Sequence, residues 1–357
     1  MKIIQVVPHL GLGGAEIMCE NLVYELKKFG HEVIVISLYN KDTAITKRFE
    51  IAGVDLRILD KKSGFDFRMY KKLKAILVQE KPDVIHTHLH TTQYVFPIAK
   101  KLKIRMVHTV HSVAHMELPK LLRIFNKHFY KRKKATPVAL SSNINKTIQN
   151  VYKLKEKEIP TIFNGINLSK CHIKEDYTQN GNFKIVHVGS FQEVKNHIGL
   201  IDAFEMFHKE FPKSELHIIG DGQRRALIED LVREKELQSC ITFYGFQSNV
   251  HEFLHKMDVF TLPSLYEGIP MSIIEAMGTG LPIVATNVGG IPDMLTNGES
   301  AILTTVDSRE IANAFFQLAN DEALREMLGR NALSRSQEFS SVEMAKKYID
   351  IYKGGQK

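Results

Sequence analysis

The chain has 357 residues, 44% of them hydrophobic, with a formal net charge of +8 and three cysteines. That length exceeds a typical single domain and suits two, each with an ordinary apolar share for its core. Cys19, Cys171 and Cys240 are odd in number, far apart and without metal-ligand spacing, which excludes a disulfide framework and fits a reducing compartment; no apolar stretch is long enough to span a bilayer.

The predicted elements of the first half alternate between strand and helix. Lys2–Val7 is an apolar run broken by Gln5, too short for a signal-peptide core. Gly11, Gly13 and Gly14 follow it, and glycines there let backbone approach a ligand closely. The spacing does not meet the G-x-G-x-x-G dinucleotide fingerprint, so a tight turn between strand and helix is the plainer alternative. A helix is predicted from Ala15 to about Lys28, strands at Glu32–Leu38 and Val54–Leu59, and a helix at Phe67–Gln79. Asp83–Thr87, Arg105–Thr109 and Thr136–Ala139 are further short strands, rich in apolar or β-branched residues. His111 follows one of them, at a carboxyl end where open α/β sheets place ligands. His86, His88 and His90 alternate at another strand end. Without a nearby Cys or acidic partner they read as polar strand-end residues rather than zinc ligands.

Residues 118–134 contain Lys120, Arg123, Lys127, Lys131, Arg132, Lys133 and Lys134 and no acid, with Leu118, Leu121, Leu122, Phe125 and Phe129 at helical spacing. Two readings stay open: a basic amphipathic helix on an anionic bilayer face, or a core-facing helix with a solvated basic face. Residues 1–180 carry 31 Lys and Arg against 16 Asp and Glu, whereas residues 181–357 carry 17 against 24. That asymmetry gives the first half an anionic partner, a membrane surface or lipid-linked phosphate. Nucleic acid is disfavoured because no aromatic–basic binding motif appears.

Residues 164–183 are polar and include the turn signal Asn180-Gly181-Asn182, so they are predicted to link two domains, 1–163 and 184–340. The alternation then restarts, with strands at Lys184–Val188, Glu215–Ile219, Ile241–Tyr244, Val259–Leu262 and Pro282–Thr286. Residues 341–357 form a terminal helical segment, with Ser340 and Glu343 at capping-box spacing. Short apolar strands alternating with helices imply α/β domains with parallel sheets covered on both faces. Ser272–Met277 reads as a helix with Pro270 in its first turn, ended by Gly278-Thr279-Gly280. Free N–H groups at such a start form an anion seat. Glu275 on the helix and Glu267 in the loop before it can accept hydrogen bonds from hydroxyls. A sugar nucleotide requires that combination.

The stretch from Leu265 to Gly278 resembles the E-x7-E signature of the family-4 retaining glycosyltransferases, which have the GT-B architecture. Further segments resemble that family in order: Gly11-Leu12-Gly13-Gly14-Ala15-Glu16, Ile162-Phe163-Asn164-Gly165-Ile166-Asn167, Val186-His187-Val188-Gly189 with Lys195-Asn196, Gly280-Leu281-Pro282-Ile283-Val284-Ala285-Thr286, and Gly289-Gly290-Ile291-Pro292-Asp293. The resemblance implies two Rossmann-like domains facing across a cleft. The first would bind the acceptor and the second the nucleotide sugar, with a terminal helix crossing back to the first. It implies retaining transfer from a nucleotide sugar, UDP-linked by frequency in the family, to a glycan or lipid-linked acceptor in surface-polysaccharide or glycolipid synthesis. The expected location is cytoplasmic, at the inner membrane face.

By the same resemblance His111 and Glu267 position the donor sugar, Lys195 contacts the diphosphate and Glu275 takes the ribose hydroxyls. Gly13, Gly14, Ser190, Gly268, Ile269, Met271 and Ser272 complete the donor-binding set. The family commonly has Arg where this chain has Ser190, a single hydrogen-bond donor without charge. The chain has no Asp-x-Asp triplet, so no metal cofactor is expected, and Lys195 with backbone dipoles would stabilise the leaving group. Two alternatives stand beside transfer: a nucleotide-sugar hydrolase or epimerase, and a sugar-nucleotide-binding partner subunit without turnover.

Overall fold

Apolar runs bounded by turns form central strands when helices cover both faces of a sheet, because every backbone polar group then pairs within the sheet. The computed structural model describes residues 1–11, 13–39 and 43–354. Its strands are β1 (Lys2–Val7), β2 (Glu32–Ser37), β3 (Asp55–Ile58), β4 (Val84–His88), β5 (Arg105–Val110) and β6 (Thr136–Ala139), then β7 (Phe183–Val188), β8 (Ser214–Ile219), β9 (Ile241–Gly245), β10 (Val259–Leu262), β11 (Ile283–Thr286) and β12 (Ile302–Thr304). They form two sheets, ordered β3-β2-β1-β4-β5-β6 and β12-β11-β10-β7-β8-β9, and every pairing is parallel. Counted from its own first strand, the second sheet repeats the order of the first, 3-2-1-4-5-6, the doubly wound Rossmann order. The α/β reading with two Rossmann-like domains therefore holds. The sequence pattern omitted β12, a three-residue edge strand too short to show an apolar run.

Two compact units result, the first residues 1–165 together with the terminal helix Ser341–Lys353 and the second residues 166–340. In the first, Met344, Ala345, Tyr348, Ile349 and Tyr352 of the terminal helix join the core made by β1, β2 and the helix Gly14–Lys28. Residues 166–183, expected within a linker, belong to the second unit. Tyr177 is buried, and its hydroxyl donates to Gly280 O at 2.7 Å. The buried guanidinium of Arg325 donates to Tyr177 O at 2.9 and 3.1 Å. Tyr177 thus ties this stretch to the second unit.

Candidate active site

In the second sheet β7 and β10 are neighbours whose connections leave in opposite directions, which opens a crevice beyond their carboxyl ends. Gly189 and Ser190 follow β7, and Ser264–Glu267 lie just past β10. Gly220 supports the first loop at φ +141°. A Cβ there would stand 1.9 Å from Gly189 O, so only glycine lets the two backbones touch. Lys195 ends the short turn Glu193–Lys195. Its ammonium donates to Glu267 Oε1 at 2.5 Å, and Ser264 Oγ donates to the same oxygen at 2.6 Å. Ser264 and Glu267 are buried, and Glu267 Oε2 has no hydrogen-bond partner among the described residues. Ser190 is exposed.

The loop carrying Glu267 is clamped from behind by Gly289 and Gly290. Gly290 N–H donates to Glu267 O at 3.1 Å. A Cβ on Gly289 (φ +58°) would meet Glu267 O at 1.8 Å, and one on Gly290 would meet Gly268 O at 2.1 Å. Around Gly268 itself there is open space.

The helix after this loop runs Met271–Thr279. Pro270 flanks it as N-cap with extended backbone (φ −72°, ψ 120°), rather than lying in the first turn as predicted. Gly278 lies inside the helix and does not end it. A Cβ there would press on Leu168 Cδ2 at 2.8 Å and Cys171 Sγ at 2.9 Å, so this glycine serves packing; the left-handed Gly280 (φ +78°) makes the stop. The N–H of Ile273 turns back to Pro270 O at 3.2 Å. Those of Gly268 and Ile269 in the loop and of Met271 and Ser272 at the helix start have no acceptor among the described residues. Glu275 is half-buried, no described side chain hydrogen-bonds its carboxylate, and loss of water pushes its pKa up to about 7.

The first unit holds a separate group of candidate residues. Gly13 is the N-cap of the helix Gly14–Lys28, and a Cβ on it would lie 2.6 Å from Glu16 Oε2. The buried Glu16 carboxylate reaches back to His9 Nδ1 at 3.1 Å, while the surroundings of Gly14 are open. His111 is half-buried just past β5, its backbone N–H donating to Glu117 Oε1 at 2.9 Å. Its Nε2 lies 3.0 Å from His88 Nδ1. Burial, with a smaller contribution from His108, pushes its pKa down to about 3, so the ring is neutral at physiological pH. His86 and His88 are fully buried and hydrogen-bonded within the protein, in keeping with strand residues rather than ligands. Among the described residues no three His, Cys, Asp or Glu converge as a metal site.

The basic segment forms the helix Lys120–Lys131, followed by exposed Arg132, Lys133 and Lys134. Its apolar residues do not share one inward face. Leu118 and Phe129 are in the core, Leu122 and Phe125 are half-buried, and Leu121 is 80% exposed together with Ile124 at 58%. Lys120 and Lys131 are exposed, whereas Arg123 and Lys127 are half-buried. No described helix is long and apolar enough to cross a membrane.

Lys195, Ser264 and Glu267 thus meet in one cluster that leads into the amides of the following helix start. Sequence reasoning missed Ser264, which carries no local signature, and it missed the clamping role of Gly289-Gly290. Sequence reasoning treats Gln5 only as a polar break in an apolar strand.

Residues 12–170 match the family model described as Glycosyltransferase Family 4, and residues 172–335 the model described as Glycosyl transferases group 1. The chain is 28% identical over 305 residues to N-acetyl-alpha-D-glucosaminyl L-malate synthase of Bacillus anthracis, covering 81% of this chain and 79% of that protein. It is 27% identical over 311 residues to an Escherichia coli enzyme, UDP-Gal:alpha-D-GlcNAc-diphosphoundecaprenol alpha-1,3-galactosyltransferase, covering 80% and 79%. Among solved structures, a glycosyltransferase from Rickettsia africae superposes with a TM-score of 0.87 at 20% identity, covering 99% of this chain and 98% of that one. Anabaena HepE in complex with UDP and glucose superposes with a TM-score of 0.81 at 19% identity, covering 99% of both chains.

Proposed function

The chain belongs to the GT-B glycosyltransferases, and we propose that it moves a sugar from a UDP-sugar to a hydroxyl of a glycan or lipid-linked acceptor, with retention of anomeric configuration and without a metal ion. The observation that carries this reading is the Lys195–Glu267–Ser264 cluster followed by four amides, two in the loop and two at the helix start, without an acceptor among the described residues. The bond from the anomeric carbon to the β-phosphate oxygen breaks, and negative charge grows on the departing UDP. In this reading Lys195 exchanges its carboxylate partner for the diphosphate. The amides of Met271 and Ser272 receive the same charge, and fixed dipoles need no reorganisation to do so. Ser190 adds one hydrogen bond to a phosphate oxygen. Gly13 and Gly14 give the donor a close backbone surface, and Gly268 and Ile269 donate to the sugar.

Glu275, whose carboxylate has no hydrogen-bond partner among the described residues, accepts the ribose hydroxyls. His111 and Glu267 orient the donor sugar. The acceptor hydroxyl attacks the anomeric carbon from the face that UDP leaves, and its proton passes to the departing phosphate oxygen. No protein nucleophile is then required. The E. coli relative named for UDP-galactose and a diphosphoundecaprenol acceptor supports the donor and acceptor classes. Exposed Leu121 and Ile124 among lysines support contact with an anionic membrane surface, at the cytoplasmic face where nucleotide sugars are made.

A thermal-shift screen of nucleotide sugars identifies the donor, since a ligand at 100 times its Kd adds about 2.7 kcal/mol of stability. Turnover with that donor is then followed by NMR of the product anomer in the presence of EDTA. Retention with activity intact is expected. An inverted product, or activity abolished by EDTA, overturns the mechanism. Free sugar released without acceptor indicates a hydrolase, and binding without transfer across an acceptor panel indicates a non-catalytic subunit.

A further inference from the structure

A line of buried polar side chains crosses the first sheet and ends at His111. The parallel register sets Gln5 of β1 opposite His86 of β4, and His88 of β4 opposite Thr109 of β5. Strand alternation puts His86 and His88 on one face, and the terminal helix packs there through Tyr348 and Tyr352. The contacts run unbroken. Tyr348 OH lies 2.7 Å from Thr109 Oγ1, Thr109 Oγ1 2.8 Å from His86 Nε2, and His86 Nδ1 2.6 Å from Tyr352 OH. Gln5 Nε2 lies 3.2 Å from Tyr352 OH and Gln5 Oε1 2.9 Å from His88 Nε2, and His88 Nδ1 is 3.0 Å from His111 Nε2.

Each group in this line has a limited stock of hydrogens. A neutral imidazole has one N–H and one lone-pair nitrogen, and a hydroxyl has one hydrogen. A line in which no hydroxyl merely accepts from both sides can therefore run in only two directions. As placed, the Gln5 amide points its nitrogen at Tyr352 and its oxygen at His88, which matches bonds running from His111 inward; the two ends have the same shape, so a half-turn of the amide serves the opposite direction equally, and the neighbours' inventory decides between them. If the bonds run from His111 inward, either the Tyr348 or the Thr109 hydroxyl hydrogen is left without an acceptor among the described residues, although both side chains are fully buried. If they run outward, every hydroxyl is used: Tyr348 donates to Thr109, Thr109 to His86 Nε2, His86 Nδ1–H to Tyr352, and Tyr352 to the Gln5 oxygen. The Gln5 nitrogen donates to His88 Nε2, and His88 Nδ1–H donates to His111 Nε2. The one remaining N–H emerges at His111, which is half-buried at the strand end. A buried hydroxyl without an acceptor is the costlier arrangement, so the outward direction prevails.

We infer that this relay, anchored by Tyr348 and Tyr352 of the terminal helix, holds His111 as its Nδ1–H tautomer and so presents the donor sugar with a hydrogen-bond donor rather than an acceptor. Tyr348, Thr109, His86, Tyr352, Gln5 and His88 are positioning residues in this account. It rests on the proposal that His111 touches the donor sugar. The oxygen it meets is then one that accepts, a sugar hydroxyl or ring oxygen.

Imidazole 15N spectra of the full chain, with His111 assigned by the signals lost in His111→Asn, read the tautomer without any turnover. A proton on Nδ1 and a bare Nε2 are expected. A proton on Nε2, or signals averaged between the two forms, overturns the inference. Thr109→Val cuts the relay and should average the His111 signals and lower kcat/KM about tenfold, whereas Thr109→Ser should keep both. Equal spectra in Thr109→Val and the unaltered protein would also overturn it. Should Thr109→Val fail to fold, the spectrum of the unaltered protein still decides. An Nδ1–H signal unmoved by the UDP-sugar found in the screen would leave the relay standing and overturn instead the contact between His111 and the donor.

Discussion

Replacing Glu275 with Gln should separate what this carboxyl does to stability from what it does for binding. Its pKa is raised from 4.5 to about 7 in the folded protein because burial disfavours the charged form. The folded state therefore holds the proton more tightly than the unfolded chain. The cost of ionisation is absent below pH 4.5, grows as the pH rises towards 7, and is constant above. At about 1.4 kcal/mol per unit, the shift corresponds to a ceiling of about 3 kcal/mol. The partial exposure of the side chain makes the realised value smaller. Nearby Cys171 is pushed up to about 12 by burial and by Glu275, so its thiol stays neutral across this range. Glu275→Gln should thus melt higher than the parent at pH 8 and equal to it near pH 4.5. In the proposed role of Glu275, the same substitution removes a charged acceptor for the ribose hydroxyls. A hydrogen bond to a charged group contributes about 1.5–3 kcal/mol, so UDP should bind about 10- to 100-fold more weakly. In the parent, UDP affinity should fall as the pH drops below 7, because binding requires the ionised form. Melting curves from pH 4.5 to 8.5 and calorimetric titration with UDP test both halves. Parallel pH–stability profiles for the two proteins, or unchanged UDP affinity in Glu275→Gln, would refute the reasoning.

Three other outcomes are expected. Lys195→Ala removes the cation from the leaving group and should lower kcat by about 100-fold or more while the protein still folds; a rate within a few-fold of the parent would count against the role given to Lys195. Gly289→Ala forces a side chain into left-handed backbone and against Glu267 O. It should destabilise by about 1–3 kcal/mol and weaken UDP binding by displacing the Glu267 loop, and an unshifted melting curve with parental affinity would contradict the clamp. Reversing charge at Lys131, Lys133 and Lys134 should reduce flotation with anionic vesicles on the order of 100-fold, since each basic residue near such a surface contributes about 1 kcal/mol; parental flotation would remove the basis for membrane contact.

The sequence by itself determined the alternation of short apolar strands with helices, and with it the pair of parallel sheets. Those patterns are local, and strands covered on both faces leave continuous apolar runs in the chain. It also determined the candidate roster around Glu267 and Glu275, because a loop, a helix start and two carboxylates at fixed spacing lie within a dozen residues. Tertiary structure alone decided the rest. Lys195, Ser264 and Glu267 become one cluster only because β7 and β10 are neighbours in the sheet, a pairing between segments some 70 residues apart. Gly278 and Gly280 look alike as helix stops, and only the packing of Leu168 and Cys171 against the first assigns it to the helix interior. Which apolar residues of the basic helix face outward depends on what packs beneath it, since periodicity names a stripe but not the neighbour that covers it. The line from Tyr348 to His111 joins residues more than 200 positions apart, and no local pattern encodes a hydrogen bond across that distance.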